Sequence, residues 1–253
     1  MLKEKFSLEG RTALVTGSAR GIGRAIALGL AESGAHLIVH GSRESEPLEE
    51  ALGLVRRFDP TATKIAADLG DPVAVERIFD PLPRTPDILV CNASVQFRRP
   101  WTAVSRDEAL LQMQVNFHAT LRMFQLCYPR MKAQGWGRLI TVGSVQERRP
   151  HPEMTVYSAS KSAQENLVRS IARQIAKDGI TVNNLCPGVF ATDRNREALA
   201  NPAYNKQVLD AIPAHFAATA EDAAGAALLL ASDAGRYITG TTLMVDGGLC
   251  LPG

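Results

Sequence analysis

The chain has 253 residues, of which 45% are hydrophobic and 21% are charged, a composition typical of a globular protein with a sizeable core. Its formal net charge is +2 and its pI is near 8.4, values too mild to indicate a nucleic-acid or membrane-surface partner. The four cysteines are widely spaced and form no C-x-x-C pair, which favours reduced thiols over a disulfide framework or a metal site.

The ends of the chain and its apolar runs bear on where the protein resides. Residues 1–6 carry charges but no apolar segment, so the sequence predicts no signal peptide. The longest apolar run, residues 223–231, is too short to span a bilayer. We therefore expect a cytoplasmic protein without a membrane partner.

Apolar runs alternate with segments of helical periodicity from one end of the chain to the other. The runs predict strands at residues 12–16, 37–39, 64–67, 87–91, 138–142, 180–185 and 242–245. The segments between them predict helices at residues 21–33, 47–58, about 72–80, 105–131, 155–177 and 221–231.

Most of the predicted strands are apolar throughout, which indicates burial on both faces. With helices between them, they predict one α/β domain with a doubly wound, mostly parallel, seven-stranded sheet flanked by helices. We expect residues 1–95 to be mainly a cofactor-binding half and residues 96–253 a catalytic half. Residues 187–218 are irregular and follow a strand end, where ligands bind in such sheets. They predict a mobile substrate lid, or alternatively a packed surface excursion.

A glycine-rich segment, residues 16–23, joins the first strand to the first long helix with the spacing G-x-x-x-G-x-G. Gly17 permits a sharp turn, Gly21 allows close approach of a ligand, and Gly23 lets helix and strand pack tightly. Free N–H groups at the helix start then face an anion. The segment predicts a pyrophosphate site for a dinucleotide.

The end of the second strand predicts which dinucleotide binds. A carboxylate at this point would bind the ribose 2′-OH of NAD, but the sequence there is Val-His-Gly-Ser-Arg, residues 39–43, without an acid. Arg43 can face a 2′-phosphate beside Ser42, and Arg20 can assist because a guanidinium suits phosphate geometry. We expect NADP(H) to be preferred, with NAD(H) possible. Alternatively, Arg43 only begins an exposed charged stretch.

A serine, a tyrosine and a lysine form the candidate catalytic set. Tyr157 and Lys161 are four residues apart in a predicted helix and therefore lie on one face. A neighbouring cation favours the phenolate and lowers the pKa of a tyrosine, which could then exchange a proton near neutral pH. Ser144 follows a strand and could hold the substrate oxygen. The alternative is a chance surface pair.

Taken together, these motifs resemble the short-chain dehydrogenase/reductase family, compact branch, and most closely its 3-oxoacyl-acyl-carrier-protein reductase-type members. The resemblance covers residues 8–249 and includes the glycine segment, Asp68-Leu69, Asn92-Ala93-Ser94, Pro187-Gly188 and Asp246-Gly247-Gly248. It implies a Rossmann sheet and an NADP(H)-dependent oxidoreductase that acts on a carbonyl or secondary alcohol, possibly a 3-oxoacyl thioester. The alternatives are an NAD-linked sugar or polyol dehydrogenase and a non-catalytic dinucleotide sensor.

The resemblance also implies residue roles. Tyr157 would be the acid/base, Lys161 would tune it and bind the nicotinamide ribose, Ser144 would orient the substrate oxygen, and Asn116 would hold a water that relays protons through Lys161. It assigns cofactor contacts to Gly17, Ser18, Arg20, Gly21, Ile22, Gly23, Ser42, Arg43, Asp68, Leu69, Asn92, Ala93, Tyr157, Lys161, Pro187, Gly188, Phe190 and Thr192.

Two departures and two open points accompany the resemblance. Cys91 and Ser94 stand where the family usually has Asn and Gly; we expect a buried thiol and a narrower space near the cofactor. Four arginines follow the fourth and fifth predicted strands, namely Arg98, Arg99, Arg148 and Arg149. They could rim the pocket and favour an anionic or carrier-bound substrate, or they could be solvated. The segment 237–248 resembles one used in subunit contacts, so we expect a homotetramer.

Overall fold

A computed structural model describes residues 1–252 of the chain. Within them, seven strands form one parallel sheet in the order β3-β2-β1-β4-β5-β6-β7. The strands are β1 (Thr12–Val15), β2 (His36–Gly41), β3 (Thr63–Ala66), β4 (Ile88–Cys91), β5 (Gly137–Val142), β6 (Ile180–Pro187) and β7 (Thr242–Val245). The predicted sheet is confirmed, and every strand pairing in it is parallel.

Helices cover both faces of this sheet. They are α1 (Leu2–Phe6), α2 (Gly21–Glu32), α3 (Glu46–Val55), α4 (Ala74–Phe79), α5 (Arg106–Met113), α6 (Ala119–Gln134), α7 (Thr155–Ile175), α8 (Asp193–Leu199), α9 (Pro202–Ala211) and α10 (Asp222–Ala231). Helices α2, α3 and α10 bury their apolar stripes in one core layer, while α4, α6 and α7 bury theirs in the other. Burial on two faces explains why the strands are apolar throughout.

The single helix predicted over residues 105–131 is wrong in detail, because the chain forms α5, a π turn at Gln114–His118 and then α6. Ser105 caps α5, where its Oγ accepts from the Glu108 N–H at 3.1 Å. The π turn widens the helix where Asn116 is buried, and such turns are frequent at functional sites.

The prediction that residues 187–218 are irregular is also wrong, since most of this segment folds into α8 and α9. Helix α9 begins in the expected way, with Asn201 accepting from two backbone N–H groups and Pro202 in the first turn. A single bridge pairs Phe190 with Ala218 and closes the segment at its base. The two helices stand over the carboxyl end of β6.

The strand order reverses between β1 and β4, so the crevice at their carboxyl ends is the topological switch point of the sheet. Among the described residues, no helix is both long enough and apolar enough to cross a membrane.

Candidate active site

A cavity of about 660 Å³ opens at the switch point, along the carboxyl edge of the sheet. The glycine loop and the ends of β2, β4 and β5 form its walls, and residues from β6 through α9 cover it. The predicted site residues that line it are Gly17, Arg20, Gly21, Ile22, Gly23, Ser42, Asp68, Leu69, Asn92, Ala93, Ser144, Tyr157, Pro187, Gly188, Phe190 and Thr192. One cavity therefore unites most of the predicted cofactor contacts with two of the catalytic hydroxyls.

The glycine loop needs its glycines for two different reasons. Gly17 has φ +64°, a backbone conformation that residues with a side chain rarely adopt. A Cβ on Gly23 would lie 2.5 Å from the Gly17 carbonyl oxygen, so any larger residue would push the loop and α2 apart. The space at the start of α2 is thus free of side chains, and the backbone N–H groups there suit a pyrophosphate.

Side chains behind the loop fix its shape. Asn92 Nδ2 donates to the carbonyl oxygens of Thr16 and Gly17, at 2.9 and 3.1 Å. His40 Nδ1 accepts from the Gly17 N–H at 3.1 Å, and its Nε2 donates to the Ala67 carbonyl at 3.0 Å. Burial lowers the pKa of His40 from 6.5 to about 4, so the imidazole is neutral at pH 7.

The end of β2 holds no carboxylate, as predicted. Ser42 and Arg20 line the cavity, whereas Arg43 is exposed beside it and does not line it. Ser18 also lies behind the wall, where its Oγ accepts from the His40 N–H at 2.8 Å. Ser18 therefore supports the loop, and a contact from Arg43 to a 2′-phosphate depends on the reach of its exposed side chain.

The catalytic set comes together as the spacing predicts. Ser144 follows β5, Tyr157 lies in the first turn of α7, and Lys161 is one turn further on. Lys161 is buried, with its Nζ 5.9 Å from the centre of the Tyr157 ring. This Nζ donates to the Val142 carbonyl at 2.7 Å and to Gln164 Oε1 at 3.1 Å, so the ammonium is held from behind while the phenol faces the cavity.

The pKa of Tyr157 does not shift as the sequence predicted. Burial is the largest influence and raises this pKa above its usual value, while the Arg194 guanidinium and hydrogen bonding by Ser144 and Ser94 oppose the rise. Burial also lowers the pKa of Lys161 to about 8. The phenol is therefore protonated at neutral pH, and the positive charge that lowers its pKa most is that of Arg194.

Asn116 uses its side chain to fasten the π turn. Its Oδ1 accepts from the Val95 N–H at 2.9 Å, and its Nδ2 donates to the Val95 carbonyl and to Ser160 Oγ, each at 3.0 Å. A side-chain path runs from Lys161 through Gln164 to Thr120, since Gln164 Nε2 donates to Thr120 Oγ1 at 3.0 Å. The sequence reasoning missed Gln164; the available signal was its position three residues after Lys161, on the same helix face.

A partly buried carboxylate, Glu147, lies behind Ser144 and was also missed. Its Oε1 accepts from the Ser144 N–H at 3.0 Å, and its Oε2 accepts from Asn184 Nδ2 at 2.9 Å. Burial raises the pKa of Glu147 to about 7, although Lys161 opposes the rise. Glu147 thus fixes the turn that presents Ser144.

Of the four arginines expected near the rim, only Arg98 lines the cavity. Arg99 pairs with Glu108 at 3.2 Å, Arg148 pairs with Glu165, and Arg149 donates to the Leu249 carbonyl at 2.5 Å. The basic residue that the sequence reasoning missed is Arg194 of α8, which lines the cavity and donates to Ser94. Its position two residues after Thr192 was the available signal.

The two departures at the end of β4 have the expected consequences. Burial raises the pKa of Cys91 to about 12, so this thiol is inert. Ser94 places a hydroxyl at the cavity wall, where it accepts from Arg194 and lowers the pKa of Tyr157.

An α/β sheet with a glycine loop at its switch point, Ser144 and Tyr157 in the same cavity and Lys161 buried beside Tyr157 defines the class of dinucleotide-dependent oxidoreductases. The family model described as "Enoyl-(Acyl carrier protein) reductase" matches residues 17–250. Gluconate 5-dehydrogenase of Gluconobacter oxydans is 34% identical over 251 residues, covering 96% of each chain.

Solved structures give the same result. The 3-oxoacyl (acyl-carrier-protein) reductase of Agrobacterium tumefaciens C58 with NADP bound has a TM-score of 0.90 at 39% identity, covering 98% of this chain and 97% of its own. A gluconate 5-dehydrogenase of Burkholderia cenocepacia J2315, in complex with NADP and tartrate, has a TM-score of 0.90 at 34% identity and full coverage of both chains. The present chain belongs to the short-chain dehydrogenase/reductase family and is an oxidoreductase of CH–OH and C=O groups.

Proposed function

We propose that this chain is an NADP(H)-dependent oxidoreductase that transfers a hydride between the nicotinamide and a carbonyl or secondary alcohol of a small molecule. The observation that carries the proposal is the single cavity in which the Tyr157 and Ser144 side chains share walls with the glycine loop. The two solved relatives that contain NADP in the same fold support the choice of cofactor.

Each residue then has a chemical task. The bound nicotinamide supplies or accepts the hydride. Tyr157 gives its proton to the substrate oxygen, which Ser144 holds, and Lys161 keeps positive charge beneath the phenol. Because burial raises the pKa of Tyr157, the phenol is protonated and ready to donate at neutral pH. The phenol can therefore serve as the acid in carbonyl reduction.

The preference for NADP(H) follows from charge at the adenosine end. No carboxylate ends β2, and Arg20 and Ser42 line the cavity with Arg43 beside it. A carboxylate there would repel a 2′-phosphate, whereas a guanidinium binds one well.

The catalytic end of the cavity is lined by Arg98, Gln146 and His151 as well as apolar side chains. These groups favour a small polar or anionic carbonyl substrate over a long acyl chain. The substrate panel below includes 3-oxoacyl thioesters, so that a carrier-bound substrate is tested as well. An NAD-linked sugar or polyol dehydrogenase is the second candidate, and the gluconate 5-dehydrogenase relatives favour it.

The test is the consumption of NADPH and of NADH with a panel of polar ketones, oxo acids, sugar acids and 3-oxoacyl thioesters. We expect turnover with NADPH at a higher kcat/KM than with NADH. Arg43→Ala and Arg20→Ala should reduce that ratio without lowering kcat with NADH. Turnover only with NADH would favour the second candidate, and the absence of turnover with the whole panel would contradict the proposal.

Two further parts of the proposal concern architecture. We place the cofactor mainly in residues 1–95 and the chemistry in residues 96–253, with α8 and α9 acting as the substrate lid. We also propose a homotetramer, supported by the exposed apolar side chains of Leu110, Leu111 and Tyr237. Light scattering of the purified chain in solution tests this, and a monomer at all concentrations would contradict it.

A further inference from the structure

Arg194 reaches from the first turn of α8 across the cavity to the end of β4. Its Nη1 donates to Ser94 Oγ and its Nη2 donates to the Ser94 carbonyl, each at 3.1 Å. No carboxylate among residues 1–252 forms an ion pair with this guanidinium. By contrast, Arg196, two residues further along α8, is paired with Asp193. The Arg194 charge therefore lies at the cavity wall without a counter-charge.

The surroundings of Arg194 make this end of the cavity electropositive. Arg98 and His151 line the same region, where Arg98 Nη2 lies 3.1 Å from His151 Nε2. Glu153, the ionic partner of Arg98 at 3.5 Å, does not line the cavity. Asp193 also lines the cavity, but it is paired with Arg196, so the Arg194 guanidinium is left to attract an anion. A guanidinium with free N–H groups binds a carboxylate through two parallel hydrogen bonds.

The position of Arg194 relative to the phenol limits where that anion can be. Arg194 lines the same cavity as Tyr157 and donates to the Ser94 hydroxyl at 3.1 Å. The Arg194 guanidinium and the Ser94 side chain both lower the pKa of Tyr157 against the rise that burial causes, as groups near the phenol do. A small substrate whose oxygen bonds to Tyr157 can therefore present a carboxylate to Arg194.

We propose that Arg194 is the specificity-determining residue of this active site, and that it binds the carboxylate of a substrate whose reacting carbon is one or two bonds from that carboxylate. The substrate class is thus a 2- or 3-oxo acid, or the corresponding hydroxy acid in the reverse direction. Ser94 holds the guanidinium in place and adds a hydroxyl beside the reacting oxygen. This inference rests on the proposed oxidoreductase function and narrows it.

The experiment compares wild type, Arg194→Met and the control variant Arg196→Met. Methionine has an unbranched side chain without charge, and Arg196 is an exposed arginine of the same helix that does not line the cavity. The probes are 2-oxobutanoate, 3-oxobutanoate and 5-oxohexanoate, each beside its methyl ester, with NADPH. The ester removes the charge and keeps the carbonyl, and the 5-oxo acid moves the charge away from the reacting carbon.

We expect Arg194→Met to lower kcat/KM for the 2-oxo or the 3-oxo acid by about 10- to 100-fold, the effect of losing a hydrogen-bonded charge pair. The ester values, the 5-oxo acid value and the KM for NADPH should change less than about threefold, and Arg196→Met should leave all of them unchanged. Equal losses for acid and ester, or a raised KM for NADPH alone, would overturn the proposal, the latter because Arg194 would then be a cofactor contact.

A binding measurement separates this inference from the function on which it rests. Malonate carries two carboxylates and no carbonyl to reduce, and its binding to the protein with NADP⁺ present is measured by calorimetry. Malonate binding that is lost in Arg194→Met and kept in Arg196→Met supports the carboxylate site even if no probe is turned over, a result that would contradict only the proposed reaction. Malonate binding that does not depend on Arg194 would overturn the inference while turnover of the esters sustained the reaction.

Discussion

At the glycine-loop end of the cavity, the ligand surface is backbone, held by close packing of Gly17 and Gly23 against Asn92. At the other end it consists of side chains from separate segments, namely Ser144 after β5, Tyr157 in α7 and Arg194 in α8. At the first end, the shape of the site requires residues without a Cβ atom. At the second end, the chemistry of the site requires particular side chains. We therefore expect single substitutions to alter ligand preference more readily at the second end than at the first.

Each end also contains an ionisable group that burial causes to titrate differently between pH 4 and pH 7, His40 at the first end and Glu147 at the second, and the two respond to pH in opposite directions. The pKa of His40 falls from 6.5 to about 4 on folding. As the pH drops from 6.5 to about 4, His40 therefore becomes protonated in the unfolded chain but not in the folded one. The pKa of Glu147 rises from 4.5 to about 7, so the unfolded chain releases a proton that the folded chain keeps as pH rises through that window. Each group lowers the free energy of unfolding by about 3 kcal/mol across its window.

Single variants at His40 and Glu147 should separate these opposing effects. The resulting changes in the free energy of unfolding with pH are the largest effects on stability that we expect. In Glu147→Gln only the His40 effect is left, so the free energy of unfolding should fall steeply from pH 7 to pH 4.5. In His40→Gln it should instead fall from pH 4.5 to pH 7. Chemical denaturation of both variants and wild type across this range measures the slopes, and parallel slopes in the two variants would contradict the assignment.

A substitution in the glycine loop should act on cofactor binding. Gly23→Ala places a methyl group 2.5 Å from the Gly17 carbonyl oxygen, and overpacking of this kind costs about 1–3 kcal/mol. We expect the Kd for NADPH to rise by about 10- to 100-fold. Gly53→Ala is the matched control, since its methyl group in α3 meets nothing within 4 Å and should only improve helix propensity. An unchanged Kd in Gly23→Ala would show that the loop can adjust.

The smallest expected effect distinguishes two arginines near the catalytic end. Arg98→Met should raise KM for anionic substrates by about three- to tenfold, since this partly exposed side chain lines the cavity. Arg148→Met should leave KM unchanged, because Arg148 pairs with Glu165 away from the cavity. Steady-state kinetics with an oxo acid and its ester measure both KM values. A raised KM in Arg148→Met and an unchanged KM in Arg98→Met would contradict this assignment and would support the expectation from sequence that Arg148 rims the pocket.

The sequence predicted the fold and the glycine loop well because both follow from local patterns. Apolar runs set the strands, and glycines between a strand and a helix define a loop whatever surrounds them. Tyr157 and Lys161 share a helix face by spacing alone. Ser144 was placed with them because it follows a predicted strand and because the family resemblance gives it the substrate oxygen.

The remainder depends on contacts between distant segments. Arg194 meets Ser94 across 100 residues of sequence, and no local pattern predicts that meeting. Within the π turn, the Asn116 side chain bonds to Val95 and Ser160, contacts that a helical periodicity cannot show. The pKa of Tyr157 was predicted in the wrong direction because burial, a property of the whole fold, outweighs a neighbouring charge.

The central claim is that the Tyr157 hydroxyl supplies the proton for carbonyl reduction. The most direct measurement is the single-turnover rate of NADPH oxidation by wild type and Tyr157→Phe with one reactive carbonyl substrate, together with the Kd for NADPH of each. We predict that the rate falls by about 100- to 10,000-fold while the Kd changes less than about threefold. A Tyr157→Phe rate within about threefold of wild type, with NADPH bound equally well, would contradict the claim.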